Sequence, residues 1–504
     1  MTDILAWTYM VAVALLSVYG LLGLFTLLLY WRHKDDDFSA PTVSTRDLPS
    51  VTVQLPIFNE RFVVERLIQS AVNLDYPSDR LQIQVIDDSS DDTSEIAAKL
   101  VADLQERDIN IKHVHRSHRE GYKAGALAEA MAQAEGDFLA IFDADFQPHP
   151  DFLLKTIPHF QASSNLGMIQ ARWGHLNAEE SPLTAAQSIA LDKHFVMEQT
   201  VRHRANLFPK FNGAAGIWRR ECVDDAGGWL DDTVCEDLCL STRAVLNGWD
   251  FRFLPDVIAP AELPITITAY KNQQARWAKG SIQCLNKYSI DILRDRKYTL
   301  TARLYALISM SAYATHILLL LLLLLQIPLL LLDVRLPPIM LLFTIIGIGQ
   351  PLLFVLAQKE SYSNWGRRLL HFPTLLLVAV GTAPSNSRAI LQAFFWHHHP
   401  FIRTPKGMTR IQVQDGTDNQ PAYRLHLDSI WLVELLLAVY AAVGVGLAIL
   451  RGNPGPLFLL LTSLLGFSYV AWLGLRETLP DSFLLKQKLN RGKLTIPFHG
   501  RDIS

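Results

Sequence analysis

Two predicted strands end directly in carboxylates. The run IQVI is followed by Asp87 and Asp88, and the run DFLAIF is followed by Asp143, Ala144 and Asp145. Ligands of a parallel α/β sheet bind beyond the carboxyl ends of its strands, so we expect both acid pairs to open into one crevice. Neighbouring carboxylates repel each other, and a divalent cation relieves that repulsion. Hard oxygen ligands and substrate phosphates suit Mg²⁺ or Mn²⁺, so the sequence predicts such a cation together with a phosphorylated substrate.

A second set of candidate residues lies downstream of these acids. Glu236 and Asp237, in TVCEDLCL, open a predicted helix, where acids are also favoured simply by the helix dipole. Gln273, Arg276 and Trp277, in QQARWAKG, lie in an amphipathic stretch that is also compatible with an ordinary surface helix. Arginine forms bidentate contacts with pyrophosphate, and tryptophan stacks on the face of a sugar. Together these residue types predict a site for a nucleotide and a carbohydrate.

The elements that must position these residues lie within residues 50–260. Short β-branched runs alternate there with helical patterns, and the runs are VTVQLPI, IQVID, INIKHV and DFLAIF. This alternation predicts βαβ units and an α/β domain with a parallel sheet.

The composition indicates a soluble domain combined with membrane spans. The chain has 504 residues, of which 50% are hydrophobic, so it is too long and too apolar for one ordinary soluble core. Its formal net charge is only −3, so the composition does not predict binding to nucleic acid. The four cysteines all lie in the polar middle of the chain, and no disulfide framework is needed to hold it.

Apolar segments flank the predicted α/β domain. Residues 4–31 contain no charged side chain, and a spanning helix needs only about 20 apolar residues. This first segment is too long for a cleavable signal peptide and has no basic residues before it. The later candidate segments are 304–331, 337–357, 369–384, 428–450 and 456–475.

The placement of Lys and Arg predicts the orientation. No Lys or Arg precedes Arg32, so we expect the N-terminus outside and the following domain in the cytoplasm. If 369–384 crossed the membrane, basic residues such as Arg388 and Arg403 would lie outside. That short segment is therefore predicted to dip into the membrane without crossing it. The prediction is five spanning helices and a cytoplasmic C-terminus.

In their order and their position between membrane helices, these acids and the Gln-x-x-Arg-Trp motif resemble processive family-2 glycosyltransferases, which include cellulose, hyaluronan and chitin synthases. The chain is most similar to the cellulose-synthase-like mannan and glucan synthases, over residues 50–290. The runs that carry this resemblance are VQLPIFNE, DRLQIQVIDDSSDDT, GYKAGAL, AIFDADFQP, QARW, FNGAAGIWR, ELPITITAY and QQARW. The resemblance implies a GT-A-type, Rossmann-like catalytic domain inserted between transmembrane helices.

The resemblance also implies roles at the nucleotide end of the site. Asp88, with Asp87 beside it, would contact the nucleoside. Lys123, in GYKAGAL, would contact the diphosphate. Asp143 and Asp145 would hold the nucleotide and the Mg²⁺ or Mn²⁺ ion.

At the acceptor end, Asp237 would be the general base, with Glu236 beside it in the catalytic pair. Arg276 would neutralise the pyrophosphate, while Gln273 and Trp277 would contact the acceptor. Cys235 departs from the Thr or Val that usually precedes these acids. The indoles of Trp173 and Trp218 are equally compatible with core packing and with a sugar platform.

The run FIRTPK resembles the gating loop of cellulose synthases. Phe401, Thr404 and Lys406 match the spacing of that loop, but Arg403 stands where valine is usual. The resemblance implies that this loop closes over the bound nucleotide.

The predicted activity is inverting transfer of a hexose from GDP-mannose or UDP-glucose to the end of a β-linked mannan, glucomannan or β-glucan, which the membrane helices would export. The partners are the donor, the growing polysaccharide and the bilayer, with no nucleic acid. The alternative is a synthase that adds one β-hexose to a lipid. A third possibility, an inactive scaffold, is disfavoured by the intact acids. We expect an integral protein of the plasma membrane.

The chain is predicted to begin with a transmembrane helix over 1–34, followed by a cytoplasmic GT-A domain over 50–270 and interfacial helices over 271–300. Transmembrane helices with the membrane dip are predicted over 302–384, and an interfacial helix with the gating-like loop over 385–427. A transmembrane hairpin over 428–475 and a basic cytoplasmic tail over 476–504 complete the division.

Overall fold

A computed structural model describes residues 2–36, 48–395 and 428–478. The strands are β1 Val51–Ile57, β2 Leu81–Asp87, β3 Ile111–His115, β4 Phe138–Ile141, β5 Leu166–His175, β6 Gly216–Arg219 and β7 Asp250–Ala261. The helices are α1 Thr2–His33, α2 Val64–Val72, α3 Thr93–Gln105, α4 Tyr122–Ala130, α5 Phe152–Gln161, α6 Pro182–Asp192, α7 Thr200–Arg204, α8 Arg220–Asp225, α9 Glu236–Leu246, α10 Ile267–Arg294, α11 Leu300–Met310, α12 Ala314–Leu331, α13 Met340–Ile346, α14 Gly349–Ser361, α15 Trp365–Arg368, α16 Phe372–Gly381, α17 Ala383–Phe395, α18 Ile430–Leu450 and α19 Leu457–Thr478.

The strands form one mixed sheet in the order β3-β2-β1-β4-β6-β5-β7. The four strands predicted from sequence, β1 to β4, are parallel neighbours as expected. The short strand β6 is antiparallel to both β4 and β5, and β7 is parallel to β5. The α/β class is therefore confirmed, whereas the expectation of a wholly parallel sheet is wrong at β6.

The sheet is covered on both faces, which explains why its strands are continuous apolar runs. Successive side chains of a strand point to opposite faces. In β4, Phe138 and Ala140 join the core beneath α2, α3 and α5, whereas Leu139 and Ile141 join the core that reaches α9 and α10. Every side chain of that strand is thus removed from water.

Strand register brings the carboxyl ends of β1, β2 and β3 to one level. Ile57 pairs with Asp87, and Asp87 pairs with His115. The acids that follow β2 and β4 consequently lie along the same edge of the sheet, as parallel strands require.

Four helices of the described residues are long and apolar enough to cross a membrane, by length and composition: α1, α12, α18 and α19. The predicted segment 337–357 is divided between α13 and α14. Helix α16, within the predicted membrane dip, has 10 residues and spans about 15 Å, roughly half the thickness of the hydrocarbon core. The five-span count and the dip stay predictions.

Helix α10 carries the Gln-x-x-Arg-Trp motif and is held at its N-terminus by the membrane helices. Lys271 Nζ lies 2.7 Å from Glu434 Oε1 of α18, and both side chains are buried. Glu477 of α19 accepts hydrogen bonds from the backbone N–H and the hydroxyl of Thr268. Helix α10 and the C-terminal helix pair are therefore joined by one buried ion pair and by half-buried hydrogen bonds.

Candidate active site

One cavity gathers most of the predicted site residues. It lies beyond the carboxyl end of β4 and is bordered by the start of α4, the start of α9, the end of β5 and the N-terminal half of α10. The predicted residues that line it are Lys123, Asp143, Asp145, Glu236, Asp237, Gln273, Arg276 and Trp277. Trp173, His175 and Gly213 also line it.

Lys123 bridges two walls of this cavity. Its ammonium contacts the carboxylate of Asp143 and donates to the carbonyl oxygen of Gly213 at 3.0 Å. Burial by itself would lower the pKa of Lys123, but the carboxylates of Asp143, Glu236 and Asp237 outweigh burial and raise it. The lysine therefore stays a cation, suited to a bound diphosphate.

Asp143 and Asp145 occupy the turn that follows β4. The backbone N–H of Phe142 still donates to Gln54 of β1 at 3.2 Å, and that of Phe146 turns back to Asp143 O at 3.0 Å. The side chain of Asp143 is 37% exposed, whereas Asp145 is buried. Two carboxylates at one cavity wall offer the hard oxygen ligands that Mg²⁺ and Mn²⁺ prefer, so these residues fit such an ion.

Glu236 and Asp237 form the first turn of α9, whose N-terminal dipole favours carboxylates. Burial nevertheless raises the pKa of Asp237, against the opposing charges of Lys123 and Arg276. Burial and the neighbouring Asp237 charge raise the pKa of Glu236 in the same way. Adjacent half-buried acids titrate as a pair, and a raised pKa makes a carboxylate a better proton acceptor.

Cys235 fixes the approach of α9 to α10. Its side chain is buried against Gly280, where an added Cβ would overlap the sulfur. Beside it, the backbone N–H of Val234 donates to Gln283 Oε1 at 3.0 Å. The predicted catalytic acids and the Gln-x-x-Arg-Trp motif are thus brought together by close helix packing at a glycine.

The two tryptophans that the sequence left open have different environments. Trp218 is fully buried in the core, 4.9 Å from Phe211 between ring centroids. Trp173 lines the cavity, and its Nε1 donates to Ala214 O at 3.1 Å, which fixes the indole plane.

Asp87 is not among the residues that line this cavity. It is completely buried and accepts hydrogen bonds from the Ser89 backbone N–H at 2.8 Å and from His113 Nε2 at 3.0 Å. Burial would raise the pKa of Asp87, but these donors lower it to about 2.

Asp88 is likewise outside the cavity lining and forms a bidentate pair with Arg116, at 2.7 and 2.9 Å. The same guanidinium donates to Glu120 O at 3.2 Å, immediately before the turn that leads to Lys123. Asp88 and the cavity are therefore connected through residues 116–123. We predicted that Asp87 and Asp88 bind the same ligand as the acids that line the cavity, and this stays a prediction.

Sequence reasoning missed a second group that could hold a metal. Asp87, His113 and His115 offer ligand atoms within 4.8 Å of one another. The sequence signal was the pair His113 and His115, two positions apart on β3, which places both side chains on one face of the sheet. Imidazole nitrogens suit Zn²⁺ rather than Mg²⁺, so this group differs in chemistry from Asp143 and Asp145.

The predicted gating loop, with Phe401, Thr404 and Lys406, lies outside the described residues.

The mixed sheet, the acids beyond its strand ends and the adjoining apolar helices define a GT-A-like α/β domain attached to membrane-type helices. Residues 49–280 match the family model described as glycosyltransferase-like family 2.

Among curated relatives, the chain is 42% identical over 277 residues to glucomannan 4-β-mannosyltransferase 1 of Oryza sativa subsp. japonica, covering 54% of this chain and 53% of that protein. It is 40% identical over 291 residues to glucomannan 4-β-mannosyltransferase 2 of Arabidopsis thaliana, covering 56% and 54%. The chain thus spans about half the length of the curated relatives it matches. The resemblance to cellulose-synthase-like mannan synthases is confirmed.

Among solved structures, a mannosyltransferase of Pyrobaculum calidifontis in complex with GDP-Man and Mn²⁺ matches with a TM-score of 0.53 at 22% identity, covering 77% of this chain and 99% of that chain. This similarity supports the fold.

Proposed function

We propose that this chain is a membrane-embedded, inverting hexosyltransferase that extends a β-linked polysaccharide. One observation carries the proposal: Asp237, Lys123 and the Gln273–Trp277 motif, which lie far apart along the sequence, line the same cavity as Asp143 and Asp145. The curated relatives named above favour a mannosyl donor, GDP-mannose, with UDP-glucose as the second candidate.

The nucleotide end of the site would be formed by the sheet edge. Lys123 binds the diphosphate after exchanging its contact with Asp143 for phosphate oxygens. Arg276, which also lines the cavity, neutralises the charge that grows on the departing nucleoside diphosphate. Asp88, which pairs with Arg116, and the neighbouring Asp87 would contact the nucleoside.

Asp143 and Asp145 would hold Mg²⁺ or Mn²⁺. Such a cation supplies charge stabilisation for phosphate oxygens when it is bound. Lys123 balances part of the negative charge of these acids through its contact with Asp143.

Asp237 would take the proton of the acceptor hydroxyl as that oxygen attacks the anomeric carbon. Glu236 lies beside it in the catalytic pair, and burial keeps the pKa of both acids raised. The bond to the diphosphate oxygen breaks on the opposite face of the sugar, so a single displacement converts an α-linked donor into a β-linked product without a covalent enzyme intermediate.

The acceptor would enter between Trp277, Gln273 and the adjoining membrane helices. Helix α10 is fixed to α18 and α19 by Lys271 and Thr268, so Gln273 and Trp277 lie on a helix that contacts the apolar helices. This contact supports export of the polysaccharide along those helices, and the proposal includes a cytoplasmic domain in an integral protein of the plasma membrane.

The test is incubation of the purified full chain in lipid nanodiscs with radiolabelled GDP-mannose and UDP-glucose, followed by linkage analysis of the product. We expect a β-linked polymer from wild type, none from Asp237→Asn, and full activity from Asp224→Asn, a control acid whose side chain is 63% exposed on α8. Transfer that persists in Asp237→Asn would overturn the assignment of the base. A product with a single sugar on lipid would overturn the polymer.

A further inference from the structure

His175, the last residue of β5, is a buried side chain of the cavity with one uncommitted nitrogen. Its side chain is 3% exposed, and Nε2 lies 3.1 Å from Asp192 Oδ1. The other ring nitrogen, Nδ1, is buried and has no hydrogen-bond partner among the described residues. A buried polar atom without a partner is costly, so such an atom in a ligand cavity indicates that the ligand supplies the partner.

Asp192 determines which nitrogen carries the proton. Burial would raise the pKa of Asp192, but His175, Gln358 and Arg172 together lower it, so the carboxylate is ionised. An ionised carboxylate only accepts hydrogen bonds, and Nε2–H of His175 therefore donates to it. In the neutral ring Nδ1 is then an acceptor with a lone pair, which matches a hydroxyl donor.

Asp192 is itself held rigidly. Gln358 Nε2 donates to its Oδ2 at 2.9 Å, the Tyr362 hydroxyl donates to Oδ1 at 3.3 Å, and Arg368 lies 3.4 Å from Oδ2. These partners come from α14, α15 and the segment 362–364 between them. The orientation of His175 is thus set before any ligand binds, as a binding group requires.

Trp173 lies two residues before His175 on the same strand and so on the same face. It also lines the cavity, with its ring 5.3 Å from that of Phe146. A fixed aromatic face beside a hydrogen-bond acceptor is suited to a sugar, which presents both an apolar C–H face and hydroxyl groups.

We propose that His175 and Trp173 form a hexose subsite, in which Nδ1 of His175 accepts a hydrogen bond from a sugar hydroxyl and Asp192 acts as the positioning residue. This inference deepens the proposed function and rests on it. The hydroxyl belongs either to the donor hexosyl group or to the terminal sugar of the acceptor.

The first measurement is binding to the purified full chain in nanodiscs, with GDP and GDP-mannose as probes. If the donor supplies the hydroxyl, His175→Ala should leave the affinity for GDP within about twofold of wild type and lower that for GDP-mannose about tenfold, the effect of one lost hydrogen bond. Retained GDP binding also shows that the variant is folded. The matched control is His149→Gln, because His149 pairs with Asp151 at 2.8 Å but is 70% exposed and outside the cavity.

The second measurement is turnover with singly deoxygenated GDP-mannose donors and singly deoxygenated β-mannooligosaccharide acceptors. With wild type, removing one particular hydroxyl from the substrate should lower kcat/KM about tenfold. With His175→Ala, the deoxy substrate and the complete substrate should have the same kcat/KM. A deoxy donor identifies the donor sugar as the source, and a deoxy acceptor identifies the acceptor. Asp192→Asn should reproduce part of the loss while GDP binding is retained.

The subsite is overturned if every deoxy substrate loses the same factor in wild type and His175→Ala, or if the variant weakens GDP as much as GDP-mannose. The proposed function fails separately, if wild type transfers no hexose. In that case the subsite is judged on the binding of GDP-mannose relative to GDP, which needs no turnover.

Discussion

Gly213 lies directly against the carboxylate of Asp237: a Cβ built on Gly213 would come within 3.0 Å of Asp237 Oδ2. Gly213 also has a φ of +85°, which side-chain-bearing residues rarely adopt. Its carbonyl oxygen accepts the hydrogen bond from Lys123. One glycine therefore allows the proposed base and the proposed diphosphate ligand to approach the same backbone segment.

The first prediction is that Gly213→Ala disables transfer more than its backbone strain explains. The new methyl group would displace the Asp237 carboxylate, and a displacement of about 1 Å can cost about 100-fold in rate. The measurement is kcat for sugar transfer, with thermal unfolding to follow the fold.

Gly228→Ala is the matched control for Gly213. Gly228 has a φ of +71° but no neighbouring atom within 4 Å of an added Cβ. Gly228→Ala therefore introduces the backbone strain, about 1–2 kcal/mol, without a steric clash. Equal kcat losses in the two variants would contradict the steric role.

The second prediction concerns the pH dependence of transfer. The base must be deprotonated to act, so the rate should rise with pH through the raised pKa of the Glu236–Asp237 pair, above the range of ordinary carboxyl groups near 4. Burial is the first cause of the raised pKa of Asp237, so Glu236→Gln should leave the acidic limb in place. The measurement is kcat/KM across pH; an acidic limb that moves to lower pH would show that the charge of Glu236 helps to raise the pKa of the base.

A third prediction separates the two groups that could hold a metal. Asp145→Asn should raise the Mn²⁺ concentration that supports half-maximal transfer by about tenfold or more, because a ligand is lost. His115→Gln should leave that concentration unchanged, since its group lies outside the cavity lining and suits Zn²⁺. Chelator-treated protein titrated with Mn²⁺ provides the test, and the reverse pattern would place the ion at β3.

The fourth prediction addresses the buried ion pair between α10 and α18. Lys271→Met would leave Glu434 charged and buried, which typically costs about 3–5 kcal/mol. The double variant Lys271→Met/Glu434→Leu should recover most of that loss, because no charge is then left without its counterion. Thermal unfolding in nanodiscs measures both.

The exposed pair Lys112–Glu135 serves as the control for this comparison. Its side chains are 40% and 54% exposed, so Lys112→Met should cost at most about 1 kcal/mol. A double variant at Lys271 and Glu434 no more stable than the single one would show that packing, rather than charge, joins the helices.

The sequence predicted the features that are encoded within single elements. Apolar runs ending in acids placed Asp87 and Asp143 at strand ends, and long apolar segments predicted α1, α12, α18 and α19. The periodicity of apolar side chains and the positions of charges are properties of neighbouring residues. Such features can therefore be predicted without knowing what the element packs against.

The tertiary structure alone decided the contacts between distant segments. The short antiparallel strand β6 has too few residues for a clear pattern, and His175 is oriented by an aspartate 17 residues away that Gln358 and Arg368 hold in turn. The close fit of Gly213 to Asp237 likewise depends on a loop meeting the first turn of α9. Local periodicity carries no information about such pairings, because packing between elements, rather than propensity within them, selects the partner.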